Sequence, residues 1–251
     1  MQSLKEKVVI ITGASEGIGA HLAAALRGRG AKLALNARNA EKLAAAAAAS
    51  DILIPGDITR HEVQSALIEK TAAQWGRIDV LINNAGRGSY YNSSTTRLDE
   101  ARAVFELNFF TPLALAQAAG PYLRETRGTL VNVSSIAGLI SLPWLPVYSA
   151  SKFALTAITS AQRAELRGDG VHVMGVFPGY VDTDFQRNAA GSPPQRIPGG
   201  KTVSITATQC AEAIVRGIER RRNAVVTPRA GWLLILANRL FPGLVEARLG
   251  M

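Results

Sequence analysis

The chain has 251 residues and a mass of 26.6 kDa, which is long enough to bury the core of one large α/β domain. Hydrophobic residues make up 47% of the sequence and charged residues 19%, a composition that excludes a wholly disordered chain. The formal net charge of +9 is concentrated in residues 216–251, which hold seven Arg against two acidic residues. No zinc-finger, recognition-helix or RNA-binding signature accompanies this charge, so we expect a solvated basic edge and no nucleic-acid partner.

The cysteine content and the N-terminus bear on the cellular setting. Cys210 is the single cysteine, so no internal disulfide can form, and no cluster of Cys and His has the spacing of metal ligands. The first residues, MQSLKEKVVIITG, carry charges where a signal peptide needs an apolar run. We therefore predict a cytoplasmic protein without a bound metal.

Short apolar runs alternate with longer helical patterns along the chain. The predicted strands are residues 7–12, 31–36, 51–55, 78–83, 128–135 and 171–178. The predicted helices are residues 19–30, a helix that begins near 39 and continues through the alanines to 49, then 60–75, 98–123 and 147–167. The strands are almost continuously apolar, as strands covered on both faces are. This alternation predicts one doubly wound α/β domain with a parallel sheet and helices on both faces.

Two stretches interrupt the alternation. Residues 186–204, QRNAAGSPPQRIPGGKTVS, are rich in Gly, Pro and Ser and are predicted to form a long loop that serves as a substrate lid. Residues 229–251 are apolar and basic and are predicted to form a C-terminal extension. The domain itself is predicted to span residues 1–228.

The C-terminal extension carries leucines at roughly helical spacing, at 233, 236, 240 and 244. Its apolar run from 232 to 237 is too short to cross a bilayer. Three interpretations stay open. The extension packs on a partner subunit or over the pocket, it caps the core, or it makes a weak contact with a membrane surface while its arginines point outward.

The first strand runs directly into TGASEGIG, residues 12–19. Gly13, Gly17 and Gly19 allow a tight turn and a close approach of backbone to phosphate. The helix that follows presents free N–H groups and the positive end of its dipole. Because the pattern lies between a strand and a helix at the start of an alternating chain, it predicts a dinucleotide site.

The end of the second strand indicates which dinucleotide binds. NAD sites favour a carboxylate there, whereas NADP sites need a cation for the 2′-phosphate. The sequence has Arg38 at this point and no acidic residue until Glu41, which favours NADP(H) over NAD(H). Glu16, inside the glycine turn, would repel a nearby phosphate unless it points outward.

Tyr148 and Lys152 stand four positions apart in PVYSASKFAL. On a helix such positions lie about 5 to 6 Å apart, so the ammonium can act on the phenol oxygen. A neighbouring positive charge is expected to lower the phenol pKa from its usual value of about 10. The pair is therefore a candidate proton donor, although this spacing also arises by chance.

Several motifs occur together and in a fixed order. They are TGASEGIG, NNAG at 83–86, Asn108 in ELNFF, Ser135 in NVSSIAG, the pair Tyr148 and Lys152, and PG at 178–179 followed by Thr183. With them, residues 5–226 resemble the short-chain dehydrogenase/reductase family in its common single-domain form. The resemblance implies a single Rossmann domain with a seven-stranded parallel sheet, in which residues 223–228 supply the seventh strand. We also expect a homodimer or homotetramer.

The resemblance implies roles for individual residues. Tyr148 would be the general acid/base, and Lys152 would activate it and bind the nicotinamide ribose. Ser135 would hold the substrate oxygen; the neighbouring Ser134 is its rival, but Ser135 has the 13-residue spacing to Tyr148 that is typical of the family. Asn108 would hold a kink and a water in the long helix.

The resemblance also implies a set of cofactor contacts. Asn83, Ala85 and Gly86 would line the adenosine side, and Asp57 would accept a hydrogen bond from the adenine amine. The remaining predicted contacts are Gly13, Ser15, Glu16, Gly17, Ile18, Gly19, Arg38, Ile58, Asn84, Tyr148, Lys152, Pro178, Gly179, Val181 and Thr183. Of these, Ile18 and the residues from 178 onward would flank the nicotinamide.

The substrate is less well defined by the sequence. Residues 136–146 and 180–185 are apolar and aromatic, without a cluster of arginines or carboxylates. They favour a lipophilic ketone or a 3-oxoacyl compound over a sugar or a charged acid, unless they are merely core. Two other functions stay open. One is a dinucleotide sensor without catalysis on the same fold, and the other is an NAD-dependent alcohol dehydrogenase of the same family.

Overall fold

The computed structural model describes residues 2–191 and 204–249. Seven strands form its central sheet: β1 (Val8–Thr12), β2 (Lys32–Ala37), β3 (Ile52–Pro55), β4 (Val80–Asn83), β6 (Thr129–Val133), β7 (His172–Pro178) and β11 (Ala224–Thr227). Their order across the sheet is β11-β7-β6-β4-β1-β2-β3, and every neighbouring pair is parallel. The predicted doubly wound fold with a seven-stranded parallel sheet is confirmed.

The central strand β1 shows why these sequences form such a sheet. All five of its residues are buried, and Ile10 aligns with Ala34 of β2 on one side and Leu81 of β4 on the other. Branched apolar side chains fill both faces of a strand that is covered above and below. Successive side chains point to opposite faces, so Ile10 and Ile11 belong to two different core clusters.

Helices cover both faces of the sheet. They are α1 (Gly17–Arg27), α2 (Ala40–Ala46), α3 (His61–Trp75), α4 (Leu98–Phe105), α5 (Thr111–Thr126), α6 (Pro146–Glu165), α7 (Ala207–Glu219), α8 (Gly231–Leu240) and α9 (Pro242–Leu249). On one face, Leu22 of α1 and Ile214 of α7 share a cluster with Ile11. On the other, Leu67 of α3 and Leu115 of α5 pack with Ile10.

The alanine-rich segment departs from the prediction, because α2 ends at Ala46 and not at residue 49. Ala47 is extended, and the N–H of Ala48 donates to the Asp51 carboxylate. Arg27 of α1 also pairs with Asp51. The contacts that hold this turn outweigh the helix propensity of alanine, which contributes only a small free energy for each residue.

The predicted long helix from Leu98 is interrupted. Between α4 and α5, residues Glu106–Phe110 form one turn of π-helix with Asn108 at its centre. Such turns insert an extra residue and are frequent at functional sites. The helical path then continues to Thr126, three residues past the predicted end.

Four short strands lie outside the main sheet: β5 (Ser89–Tyr90), β8 (Val181–Asp182), β9 (Ala190–Gly191) and β10 (Ile205–Thr206). β5 pairs with β9, and β8 pairs with β10. Part of the predicted loop is therefore a strand. Residues 192–203 of the predicted lid lie outside the described residues.

Beyond β11 the chain forms α8 and α9. Ile235 of α8 packs with Ile136 and Val226 in a small core cluster. Among the helices that the structure describes, none is long and apolar enough to cross a membrane.

Candidate active site

A cavity of about 900 Å³ lies at the carboxyl ends of the parallel strands. Gly13 follows β1, Arg38 follows β2, Asn84 follows β4, Ser134 follows β6 and Gly179 follows β7, and all five line it. The chain winds away from β1 in both directions, toward β2 on one side and β4 on the other. In open α/β sheets this reversal of strand order is where a crevice for ligands forms.

The glycine turn at one end of the cavity has room for backbone only. Gly13 has φ +66°, and a Cβ there would lie 2.9 Å from Cα of Ala85. A Cβ on Gly19 would overlap the carbonyl oxygen of Gly13. The side chain of Asn84 fixes the turn, because its Nδ2 donates to the carbonyl oxygens of Thr12 at 2.9 Å and Gly13 at 3.0 Å.

The start of α1 completes this cradle. The N-cap residue Glu16 makes no side-chain capping bond, and no acidic residue occupies the first turn of α1. The amide N–H groups there are therefore open to an anionic ligand, and the helix dipole favours one. The cradle fits the diphosphate of a dinucleotide.

Most of the predicted cofactor residues line this cavity. They are Gly13, Ser15, Glu16, Gly17, Ile18, Arg38, Asp57, Ile58, Asn84, Ala85, Gly86, Tyr148, Lys152, Pro178, Gly179, Val181 and Thr183.

Two predicted contacts do not line the cavity. Gly19 is buried against Gly13, so it shapes the turn from behind. Asn83 lies in β4, where its Nδ2 donates to Oδ1 of Asn132 at 2.9 Å. The prediction that Asn83 lines the adenosine side was wrong, because its side chain points into the sheet–helix core and only the residues after the strand reach the cavity.

A group of charged side chains surrounds the end of β2. Arg38 is exposed and forms no ion pair with any residue that the structure describes. Nζ of Lys42, in α2, lies 2.8 Å from Oε2 of Glu16, and this carboxylate raises the pKa of Lys42. Nδ2 of Asn188 donates to the other oxygen of Glu16 at 2.8 Å. Glu16 is thus held by a cation, and Lys42 and Asn188 both line the cavity.

Sequence reasoning missed Lys42 and Asn188. A signal for Lys42 was present, since it is a second cation four residues after Arg38, in the helix that follows β2. Asn188 lies 172 residues from Glu16, so only the fold brings these two together.

Tyr148 lies at the other end of the cavity, on α6, and its side chain is buried. Burial raises the pKa of the Tyr148 phenol to about 12, while the Ser135 hydroxyl acts in the opposite direction. The expectation that the neighbouring ammonium lowers this pKa does not hold for the protein alone, because loss of solvation is the larger effect. At neutral pH Tyr148 is therefore the protonated phenol.

Lys152 is buried on the same face of α6, with Nζ 5.9 Å from the centre of the Tyr148 ring. Its Nζ donates to the carbonyl oxygen of Val133 at 2.9 Å. Burial lowers the pKa of Lys152 to about 7, so near neutral pH it divides between the charged and neutral forms.

Ser134 and Ser135 follow β6 and differ in their partners. The Ser134 hydroxyl donates to the carbonyl oxygen of Lys152 at 3.0 Å and also contacts Thr156. Ser135 accepts a hydrogen bond from the Ala137 amide at 3.1 Å and lies beside Tyr148. The Ser134 hydroxyl is thus hydrogen-bonded to α6, whereas Ser135 lies beside the Tyr148 phenol.

Asn108 lies behind the cavity, at the π-helical turn, and is fully buried. Its Oδ1 accepts from the Arg87 amide, and its Nδ2 donates to the Arg87 carbonyl oxygen and to Oγ of Ser151, each at 3.0 Å. A Cβ on Gly86 would lie 3.3 Å from Oδ1 of Asn108 and 3.4 Å from Nζ of Lys152. Asn108 therefore ties the Gly86–Arg87 segment to α6.

The wall opposite the glycine turn is mostly apolar. It is lined by Tyr90, Ile136, Ile140, Leu142, Trp144, Leu145, Phe185, Leu234 and Leu249. Both of the loops that the sequence indicated, 136–146 and 180–185, contribute to it. Leu234 of α8 and Leu249 of α9 show that part of the C-terminal extension lies over the pocket.

The described residues contain no cluster of metal ligands. Within residues 2–191 and 204–249, no group of three or more His, Cys, Asp and Glu could hold a metal ion. Cys210 is buried, and burial raises its pKa to about 12, which leaves the thiol protonated and inert.

Known proteins resemble this chain in sequence and in fold. The sequence profile of the short chain dehydrogenase family matches residues 7–192. The chain is 34% identical over 249 residues to 11-beta-hydroxysteroid dehydrogenase-like 2 of Arabidopsis thaliana, an alignment that covers 94% of this chain and 79% of that protein.

Solved structures agree with this match. A short chain dehydrogenase from Burkholderia cenocepacia J2315 in complex with NADP has a TM-score of 0.83 and 30% identity over 99% of both chains. A short-chain dehydrogenase from Sphingobium yanoikuyae in complex with NADPH has a TM-score of 0.79 and 26% identity, covering 96% of this chain and 95% of the other. The family profile matches most of the sequence, and the solved relatives have the same fold. This chain therefore belongs to the short chain dehydrogenase family and is a dehydrogenase/reductase that acts on a small molecule.

Proposed function

We propose that the protein transfers a hydride between NADP(H) and the carbonyl or alcohol carbon of a lipophilic substrate, such as a ketone or a 3-oxoacyl compound. One observation carries the proposal. A single cavity joins the glycine turn, the buried side chains of Tyr148 and Lys152, the half-buried Ser135 and an apolar wall. The cofactor's binding place, the proton donor and the substrate's surroundings thus adjoin one another.

The glycine turn and the start of α1 support dinucleotide binding. The cradle leaves room for backbone alone at Gly13 and directs free amide groups at an anion. We assign the diphosphate to this turn, the nicotinamide ribose to Lys152 and the adenine edge to Asp57 and Ile58. When bound, the nicotinamide supplies or accepts the hydride.

The charges near the end of β2 support NADP(H) over NAD(H). Arg38 is free to bind a phosphate, and Lys42 adds a second cation beside it. An acidic residue for ribose hydroxyls is missing at this strand end, since Ala37 and Arg38 stand there. Both solved relatives named above carry NADP or NADPH.

Tyr148 and Ser135 support proton transfer at the substrate oxygen. Because burial holds Tyr148 in its protonated form, the phenol has a proton to give as negative charge develops on a carbonyl oxygen. The Ser135 hydroxyl would donate a second hydrogen bond to that oxygen. Lys152, when charged, favours the phenolate that is left and so assists both directions of the reaction.

The apolar wall supports a lipophilic substrate. Side chains such as Leu142, Trp144 and Phe185 form an apolar surface that favours burial of an apolar substrate. The relative from Arabidopsis thaliana is named as a hydroxysteroid dehydrogenase-like protein, which agrees with a substrate of this class.

A dinucleotide sensor without catalysis is the less favoured function. Such a protein needs the glycine turn but does not need a buried phenol beside a buried amine. Burying these two polar groups costs solvation free energy, so a role in catalysis explains them better. An NAD-dependent alcohol dehydrogenase of the same family is the other alternative. Arg38 disfavours it.

We further propose a cytoplasmic homodimer or homotetramer, with residues 1–228 as the catalytic domain and 229–251 as an extension of it. Exposed Leu98, Phe110 and Phe153 support self-association, since Leu98 and Phe110 line a shallow apolar groove beside α4.

A turnover screen tests this function. NADPH and NADH oxidation would be followed with medium-chain ketones, 3-oxoacyl thioesters, steroids and sugars. We expect turnover with apolar carbonyl compounds and a preference for NADPH. Tight dinucleotide binding without turnover of any of these classes would favour the sensor instead.

A further inference from the structure

Exposed apolar side chains are concentrated at the C-terminal end of the chain. Ten large apolar side chains are exposed in the part of the protein that the structure describes, and seven of them lie between Trp232 and Leu244. We call six of these the C-terminal apolar face: Trp232, Leu233, Leu236, Leu240, Phe241 and Leu244. The seventh, Leu234, lines the cavity and is not part of it.

The residues that the structure describes do not cover this face. Helix α8 buries only Gly231 and Ile235, and no residue of α9 is buried. Leu233 and Leu244 are each 72% exposed. A helix that is apolar on its outward side as well as its inward side needs an apolar environment on both. Something other than the described chain must therefore cover α8 and α9.

The charges around the face indicate what covers it. Arg229, Arg239 and Arg248 are exposed at the ends of the two helices, and Glu246 is the only acidic residue from 229 to 249. In a two-fold interface with a second copy, the arginines of the two copies would approach and repel one another. An anionic lipid surface would instead neutralise them, since arginines beside an apolar helix face attract such lipids.

We propose that the C-terminal apolar face docks on the surface of an anionic lipid bilayer, with α8 and α9 lying in the plane of the interface. Their lengths of ten and eight residues suit this arrangement, because neither helix can span a bilayer. Trp232 has the amphipathic ring that is enriched at this depth.

Docking has a consequence for the cavity. Leu234 and Leu249, from the same two helices, line its apolar wall. A docked molecule would hold that end of the cavity near the lipid, where an apolar substrate concentrates. This consequence rests on the proposed lipophilic substrate, whereas docking itself does not.

Vesicle binding tests the proposal without any use of enzyme activity. The parent protein would be sedimented with vesicles of phosphatidylcholine alone and of phosphatidylcholine with an equal amount of phosphatidylglycerol. We expect it to bind the mixed vesicles more tightly. Leu233→Glu combined with Leu244→Glu should weaken this binding at least about tenfold, because both apolar anchors are lost. Arg239→Gln should weaken it about fivefold.

A matched control is Ala73→Glu combined with Gln74→Glu, which places two new carboxylates at exposed positions of α3, outside the face. It should bind vesicles like the parent protein. Absence of parent binding, or equal binding by the double variant, would overturn the proposal. So would a parent oligomer that binds no vesicles and that the double variant dissociates, since a second copy then covers the face.

A second measurement does not use the double variant, so misfolding of that variant cannot affect it. In the parent protein, emission from Trp232 should shift to shorter wavelength on mixed vesicles and be quenched by brominated lipid. A Trp232→Phe protein, with only Trp75 and Trp144 left, should show neither change. Unaltered parent emission would also overturn the proposal.

Discussion

Nζ of Lys42 lies 2.8 Å from Oε2 of Glu16, so this lysine, which lies beside the proposed 2′-phosphate site, is already paired with a carboxylate of the protein. Both side chains are more than one-third exposed, which limits the strength of this pair in water. A bound phosphate would compete with Glu16 for Lys42. The carboxylate is therefore expected to weaken NADPH binding through Lys42 as well as through direct repulsion.

This relationship predicts opposite effects for its two members. Glu16→Gln should lower the Kd for NADPH about two- to fivefold, because Lys42 no longer has a competing anion. Lys42→Gln should raise that Kd. The Kd for NADH should change less in both variants, as NADH has no 2′-phosphate. Calorimetric titration of both cofactors measures these effects, and weaker NADPH binding by Glu16→Gln would contradict the assignment.

Arg38 is expected to contribute more to cofactor preference than Lys42, since it has no competing partner within the described residues. A guanidinium can donate two hydrogen bonds to one phosphate and stays charged at any working pH. Arg38→Ala should therefore raise the Kd for NADPH about 10- to 100-fold and leave the Kd for NADH nearly unchanged. The loss should shrink in high salt.

The control for Arg38 is Arg124→Ala, which removes the same charge from a remote ion pair with Asp169. Its cofactor affinities should match those of the parent protein. If the parent binds NADH and NADPH equally well, Arg38 is only a surface residue and the proposed NADP(H) preference is wrong.

The sheet and the glycine turn could be predicted from the sequence because they depend on local patterns. Continuous apolar strands such as β1 require cover on both faces, and the turn after it needs glycine at a positive φ angle, as at Gly13. The order of the motifs then located Ser135 and Tyr148. Both line one cavity.

What the sequence did not reveal depends on contacts between distant segments. The end of α2 is set by Asp51 and its partner Arg27, which no helix propensity anticipates. The contact of Asn188 with Glu16 requires the complete fold. The pKa of Tyr148 was expected to fall, but burial, which depends on the whole surrounding structure, raises it.

Lys152 should make the stability of the protein depend on pH. Its folded pKa of about 7 lies below the ordinary lysine value of 10.5, so above pH 7 the unfolded chain binds a proton that the folded chain has released. The contribution of Lys152 to the free energy of unfolding therefore rises with pH, by about 1.4 kcal/mol for each pH unit between about 7 and 9. Below about pH 7 this contribution is constant.

Denaturant unfolding of the parent protein and Lys152→Met, across that pH range, isolates the contribution of Lys152, because all other groups titrate in both proteins. The difference in free energy of unfolding should grow in favour of the parent as the pH rises. Parallel curves for the two proteins would show that Lys152 keeps an ordinary pKa.

The central claim is that Tyr148 gives the proton that carbonyl reduction needs, and Tyr148→Phe tests it most directly. Tyr90→Phe is the matched control, because Tyr90 is also buried and also lines the cavity. With an apolar ketone and NADPH, Tyr148→Phe should lose at least about 10²-fold in kcat/KM while its Kd for NADPH stays near that of the parent, since the phenol acts in the transition state. Tyr90→Phe should keep most of its activity. A Tyr148→Phe protein whose kcat/KM remains within about tenfold of the parent would contradict the account.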